Sequence, residues 1–128
     1  MEKETKAQPA GDDTFENLEV WREAVDLAAR VYELLRACRD FEFRGQIQAA
    51  AVSVSSNIAE GYERSSNAEF VRFLDIARGS CGEVRSQAYL AARVKLLAEA
   101  DAKTLIADAK RLSKRIARLM EVRRRDFR

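Results

Sequence analysis

From Leu18 onward, apolar positions recur at intervals of three and four, the period of helices buried along one side. In a first segment, about Leu18 to Cys38, Trp21, Val25, Ala28, Tyr32 and Leu35 form a stripe. Val20, Leu27, Val31 and Leu34 widen it, so this helix is expected to bury two faces. A short connection at about Arg39–Phe43 leads to a second helix, about Arg44–Glu63, with Ile47, Ala51, Val54 and Ile58 toward the core. Ser66-Asn67-Ala68-Glu69 has the capping-box pattern, in which a Ser hydroxyl accepts a first-turn N–H, so a third helix starts there. It runs to about Leu97 with Phe70, Phe73/Leu74, Ala77, Cys81, Val84, Ala88 and Ala91 as its core stripe. Asp101 is the expected N-cap of a fourth helix. Its seam of Leu105, Ala109, Leu112, Ile116 and Leu119 alternates four and three. Arg123-Arg124-Arg125 is expected to fray. No strand-length alternation is present. The pattern predicts an all-α, antiparallel up-and-down four-helix bundle over residues 14–122, between an irregular tail (1–13) and a basic C-terminal tail (123–128).

Composition supports one domain: 128 residues, 47% hydrophobic and 34% charged. The only proline, Pro9, lies in the polar N-terminal tail, so no proline ring interrupts a helix. No secretory or membrane-spanning stretch is visible, which leads to a cytoplasmic expectation. The net charge of +2 hides an asymmetry. Residues 103–128 hold 10 Lys and Arg against 3 Asp and Glu, a net +7, whereas residues 1–102 hold 13 against 18, a net −5. Lys110, Arg111, Lys114, Arg115 and Arg118 follow three-and-four spacing around the fourth seam and make a candidate band for RNA or DNA phosphates. The competing reading is an ordinary solvated helix face.

Helices two and three carry residues that a simple bundle would not place there. Asn57, Glu60 and Gly61 interrupt one, and Gly79, Ser80 and Glu83 the other. Each Gly in a helix costs about 1 kcal/mol relative to Ala, which asks for a compensating close contact or a site. A hairpin turning near Ser65–Ser66 places Ser53 beside about Arg78 and Val52 beside about Gly79. The small stripe Ala50, Ser53, Asn57 and Gly61 would then meet Gly79 and Gly82 in close packing. In that register Glu60 and Glu83 lie roughly 18 Å apart along the helix, too far for an acid–base pair. Glu60 is instead placed to pair with Arg64, and Asp75 with Arg78. The chain contains no His and only Cys38 and Cys81. Ser–His, Cys–His, HExxH and zinc arrangements are therefore out of reach, and no catalytic residue, metal or cofactor is expected.

The segments "SxxxNIAEGYER" and "EFxRFLxIARGSCGE", with the opening "FENLEVWREAVDLAARVY", resemble the four-helix-bundle proteins encoded in intervening sequences of bacterial large-subunit (23S) ribosomal RNA genes. The resemblance covers about Phe15 to about Leu97 and marks Asn57, Glu60, Gly61, Gly79, Ser80 and Glu83 as signature positions. It implies a cyclic homo-oligomer, with a pentamer favoured. It also carries a fold-level similarity to the accessory variability determinant of diversity-generating retroelements, which partners a nucleic-acid enzyme. Many relatives carry a basic residue near the start of the second helix, where this chain has Ala49. Two readings follow. One is a non-catalytic oligomeric module that binds nucleic acid or ribonucleoprotein. The other is a ring-shaped scaffold for a protein partner.

Overall fold

A computed structural model describes residues 14–126. A single 3-10 turn, Phe15–Asn17, leads into four helices: α1 (Glu19–Leu34), α2 (Phe41–Glu63), α3 (Asn67–Arg93) and α4 (Glu99–Asp126). Each packs on its chain neighbour, and α1 closes the ring against α4, so α2 and α4 stand at opposite corners. This is the expected all-α four-helix bundle. The expected N-terminal tail, residues 1–13, lies outside the described residues.

Local chemistry explains the boundaries. Asp40 caps α2 by accepting the Phe43 N–H (3.1 Å), and Ser66 caps α3 by accepting the Glu69 N–H (3.1 Å). The second cap is the one expected from sequence. α3 ends in a Schellman turn. The Leu96 N–H reaches the Ala91 carbonyl (2.8 Å) and the Lys95 N–H that of Ala92 (3.2 Å), with Lys95 in the left-handed region at φ 67°. This stop precedes the expected end at Leu97. α4 begins at Glu99, so Asp101 sits inside its first turn, where a carboxylate favours the positive end of the helix dipole.

Two expectations at the ends are corrected. α1 stops at Leu34 rather than Cys38, and its C-cap Leu35 donates to the Val31 carbonyl (3.1 Å). Residues 123–125 do not form a frayed tail: α4 continues to Asp126. Arg123 explains why. Its Nε donates to Asn67 Oδ1 (3.0 Å), its carbonyl accepts from Asn67 Nδ2 (2.9 Å), and its guanidinium lies 5.0 Å from the Phe70 ring centre. The end of α4 is thereby fastened to the first turn of α3.

The core follows the expected stripes of α2 and α3, and of α4 as far as Ile116, with Met120 buried beyond it and Leu119 half-buried. In α1 the expectation is overturned. Val20, Ala24, Leu27, Val31 and Leu35 point inward, whereas Val25 and Tyr32 are exposed and Trp21 and Ala28 half-buried. The two stripes share one period, so periodicity could not rank them. In this rotation α1 also forms ion pairs to α4: Arg30 with Asp108, and Arg115 with Glu19 (2.7 Å) and Glu23 (2.8 Å).

The register of α2 against α3 is also corrected. Ser53 Oγ meets Ser80 Oγ at 2.9 Å, two residues beyond the expected Arg78. The stripe Ala50, Ser53, Asn57 and Gly61 does face α3, but it meets Ser80 and the two Phe residues rather than Gly79 and Gly82. A methyl group on Gly61 would collide with the Phe73 Cβ and crowd the Phe70 ring, whereas one on Gly79 or Gly82 would meet nothing. Adjacent helical residues diverge by about 100°, so an inward Ser80 turns Gly79 outward.

Replacing Gly61 by Ala should therefore lower stability by about 1–3 kcal/mol through overpacking. Gly79→Ala should raise it by up to about 1 kcal/mol through helix propensity. Urea unfolding of both variants checks the pair, and destabilisation by Gly79→Ala would contradict the register.

Burial pushes the Cys81 thiol up to about 12, against a smaller opposing pull from the Arg85 charge, while Cys38 is half-buried near the α1–α2 connection. Maleimide should modify Cys38 in the native protein and Cys81 only on unfolding, as read by mass spectrometry. The raised Cys81 value also predicts stability that is unaffected below the ordinary thiol range near 9 and falls as pH climbs from there toward about 12.

Candidate nucleic-acid interface

The candidate basic residues of α4 divide into two groups. Asp108, Arg111 and Arg115 lie on the α1 side. Asp108 accepts from both Arg30 and Arg111 (3.0 Å), and Arg115 grips Glu19 and Glu23. Arg111 and Arg115 thus face carboxylates, and their charge is largely spent within the fold. Lys110, Lys114 and Arg118 are exposed and have no carboxylate partner among the described residues. Their spacing of four puts Lys110 and Lys114 on the flank turned away from α1, toward α3. Lys103, two turns earlier and also exposed, extends the line.

α3 supplies a matching row that sequence reasoning missed. Arg78, Gly82, Arg85, Tyr89 and Arg93 recur at four, three, four and four. Ser80 faces α2, so this row lies on the opposite flank, beside α4. Arg78 is paired with Asp75 (3.1 Å). Arg85 is half-buried, and Arg93 and Tyr89 are exposed. The two rows form one face carrying cations from Arg85, Arg93, Lys103, Lys110 and Lys114, while Arg118, one turn beyond Lys114, borders a hollow with Leu18, Glu19 and Val20 on the α1 side. The signal was available as a three-and-four row on α3, but composition pointed to the C-terminal segment alone.

Four of the signature residues, Asn57, Glu60, Gly61 and Ser80, make structural contacts apart from this face. Asn57 Nδ2 donates to the Ser53 carbonyl (2.8 Å) and to Ser53 Oγ (2.9 Å), which leaves the Ser53 hydroxyl to meet Ser80. These groups satisfy one another at a part-buried helix contact. Glu60 binds Arg64 (2.7 Å), as expected from their spacing. The guanidinium groups of Arg64 and Arg72 lie 4.8 and 4.7 Å from the Phe73 ring centre, over the ring that presses on Gly61. The Arg72 hydrogen bond holds the Glu69 carboxyl below its usual range, with a lesser effect of the Arg72 and Arg64 charges. Glu83 and Gly79 are exposed. No cluster of His, Cys, Asp or Glu able to hold a metal occurs among the described residues, and no helix there is long and apolar enough to cross a membrane.

The sequence profile of the family described as 23S rRNA-intervening sequence protein matches residues 16–118. Among solved structures, the chain is similar to a protein of unknown function from the S23 ribosomal protein family of Bacteroides thetaiotaomicron. That match has 20% identity and a TM-score of 0.73, covering 79% of this chain and 97% of the other. No curated protein matches.

Proposed function

Since the chain belongs to the 23S rRNA-intervening sequence protein family, we propose that it is a non-catalytic homo-oligomeric module that holds a nucleic-acid backbone on the α3–α4 face. The carrying observation is the partition of charge. Arg111 and Arg115 neutralise carboxylates of the fold, while Lys110, Lys114 and Arg118 are left unpaired on one exposed line. Lysines held apart at this spacing repel one another mildly, and an anionic ligand relieves that repulsion while releasing its own counterions.

The opposite corner supports self-assembly. From Gly45 to Ala59 α2 has no charged residue, although 34% of the chain is charged. Its exposed positions are Gly45, Gln46, Ala49, Val52 and Ser56, flanked by exposed Val25 and Tyr32 on α1 and Ile76 on α3. A solvated helix face normally carries charge, and an uncharged apolar patch of this kind fits an interface. Contact between copies through α2 leaves α4 free, so a cyclic assembly, a pentamer by family resemblance, presents the basic face once per subunit. Val52→Glu with Ser56→Glu should then yield monomers by light scattering at micromolar concentration, with the helical circular-dichroism signal kept. A monomeric parent would overturn the assembly.

Binding should be steep in salt, with a log–log slope of about −0.7 to −0.9 per phosphate contacted. A filter-binding titration at several salt concentrations tests it. The triple variant Lys110→Glu, Lys114→Glu and Arg118→Glu should bind RNA or DNA much more weakly than the parent at low salt. Equal binding by both, or none by the parent, supports the scaffold reading instead, in which the basic face meets an acidic protein.

A further inference from the structure

Tyr89 stands within the basic row and is 61% exposed in the monomer. Arg85 precedes it by one helical turn and Arg93 follows by one, each about 6 Å along the axis. The ring forms one wall of an open hollow of about 690 Å³ at the α3–α4 turn, lined also by Ala92, Leu96, Leu97, Arg93 and Lys95. Glu99 is the one carboxylate in that lining. The hollow thus joins an aromatic wall, apolar side chains, two cations suited to phosphate and one acceptor suited to the amino edge of a base. Lys103 and Lys110 follow on α4, about one and three turns beyond Glu99.

An exposed aromatic ring beside cations is how proteins hold unpaired bases: the ring stacks on the base while the cations follow the backbone. A duplex keeps its bases stacked inside and offers such a ring only phosphate and sugar. We infer that Tyr89 is a stacking platform for an unpaired base, and that the α3–α4 face takes single-stranded RNA or DNA in preference to duplex. This rests on the nucleic-acid reading above and specifies the strand state it requires. The phenol hydroxyl plays no part, so the ring alone should suffice.

The test is fluorescence anisotropy on the full-length protein with labelled oligo(U), oligo(dT) and a duplex of equal length, at one fixed salt concentration. The parent, Tyr89→Phe and Tyr89→Ala are compared, and circular dichroism confirms that each is folded. Tyr89→Phe should bind like the parent. Tyr89→Ala should weaken single-strand binding by roughly 5- to 150-fold, the worth of one base–aromatic stack, with duplex binding unchanged. Equal loss on single strand and duplex, no loss on either, or a Phe variant as weak as the Ala variant would overturn the platform. So would a change in oligomeric state with Tyr89→Ala and no change in binding, since the ring would then face another copy. A parent that binds neither probe overturns the underlying nucleic-acid reading. A parent that binds both while Tyr89→Ala is neutral overturns the platform alone.

Discussion

Gly61 sits where a methyl group would strike the β-carbon of Phe73. That contact lets the end of α2 lie close on α3, and the Ser53–Ser80 hydrogen bond fixes the register further along. Once Ser80 faces α2, the rest of α3 follows from helical geometry. Cys81, Val84 and Ala88 enter the core, Gly79 and Glu83 turn to solvent, and Arg85, Tyr89 and Arg93 line the flank toward α4. A shift of one residue would move every one of these side chains about 100° around the axis. The glycine is therefore the constraint on which the position of the basic face depends.

The second constraint is electrostatic. α1 is joined to α4 by Arg30–Asp108 and by Arg115 with Glu19 and Glu23. Such partly exposed pairs add little stability individually, about 0–1 kcal/mol. They accompany the rotation that buries Val20, Leu27 and Val31 of α1, and they remove Arg115 from the charge available to a ligand. Asp108 does the same for Arg111. What remains unpaired is a narrower set than the composition of the C-terminal segment suggests, and its lysines Lys110 and Lys114 lie toward α3.

Much of the bundle was legible in the sequence because burial imposes a three-and-four period on each helix, and the Ser66 cap marks a boundary by its own hydrogen bond. The small stripe on α2 was legible for the same reason. Its partners were not, because a hairpin register depends on turn geometry that periodicity does not encode, and an error of two residues put Arg78 rather than Ser80 beside Ser53. The rotation of α1 was hidden because Trp21–Tyr32 and Val20–Val31 repeat alike, and only contacts distant in sequence distinguish them. The basic line of α4 was read in part. Spacing located Lys110, Lys114 and Arg118, but only the fold shows that Arg111 and Arg115 have carboxylate partners and that α3 contributes Arg85 and Arg93. The extension of α4 through Arg123 depended on Asn67, 56 residues earlier, which no local pattern reports.

The central claim is spatial: the unpaired cations of α3 and α4 form the surface that meets the ligand. Lysine acylation read by mass spectrometry, with and without saturating oligo(U), locates that surface without altering the protein. The account predicts that Lys103, Lys110 and Lys114 lose reactivity together when the oligonucleotide is present. Unchanged reactivity at all three, under conditions where the oligonucleotide is bound, would contradict it.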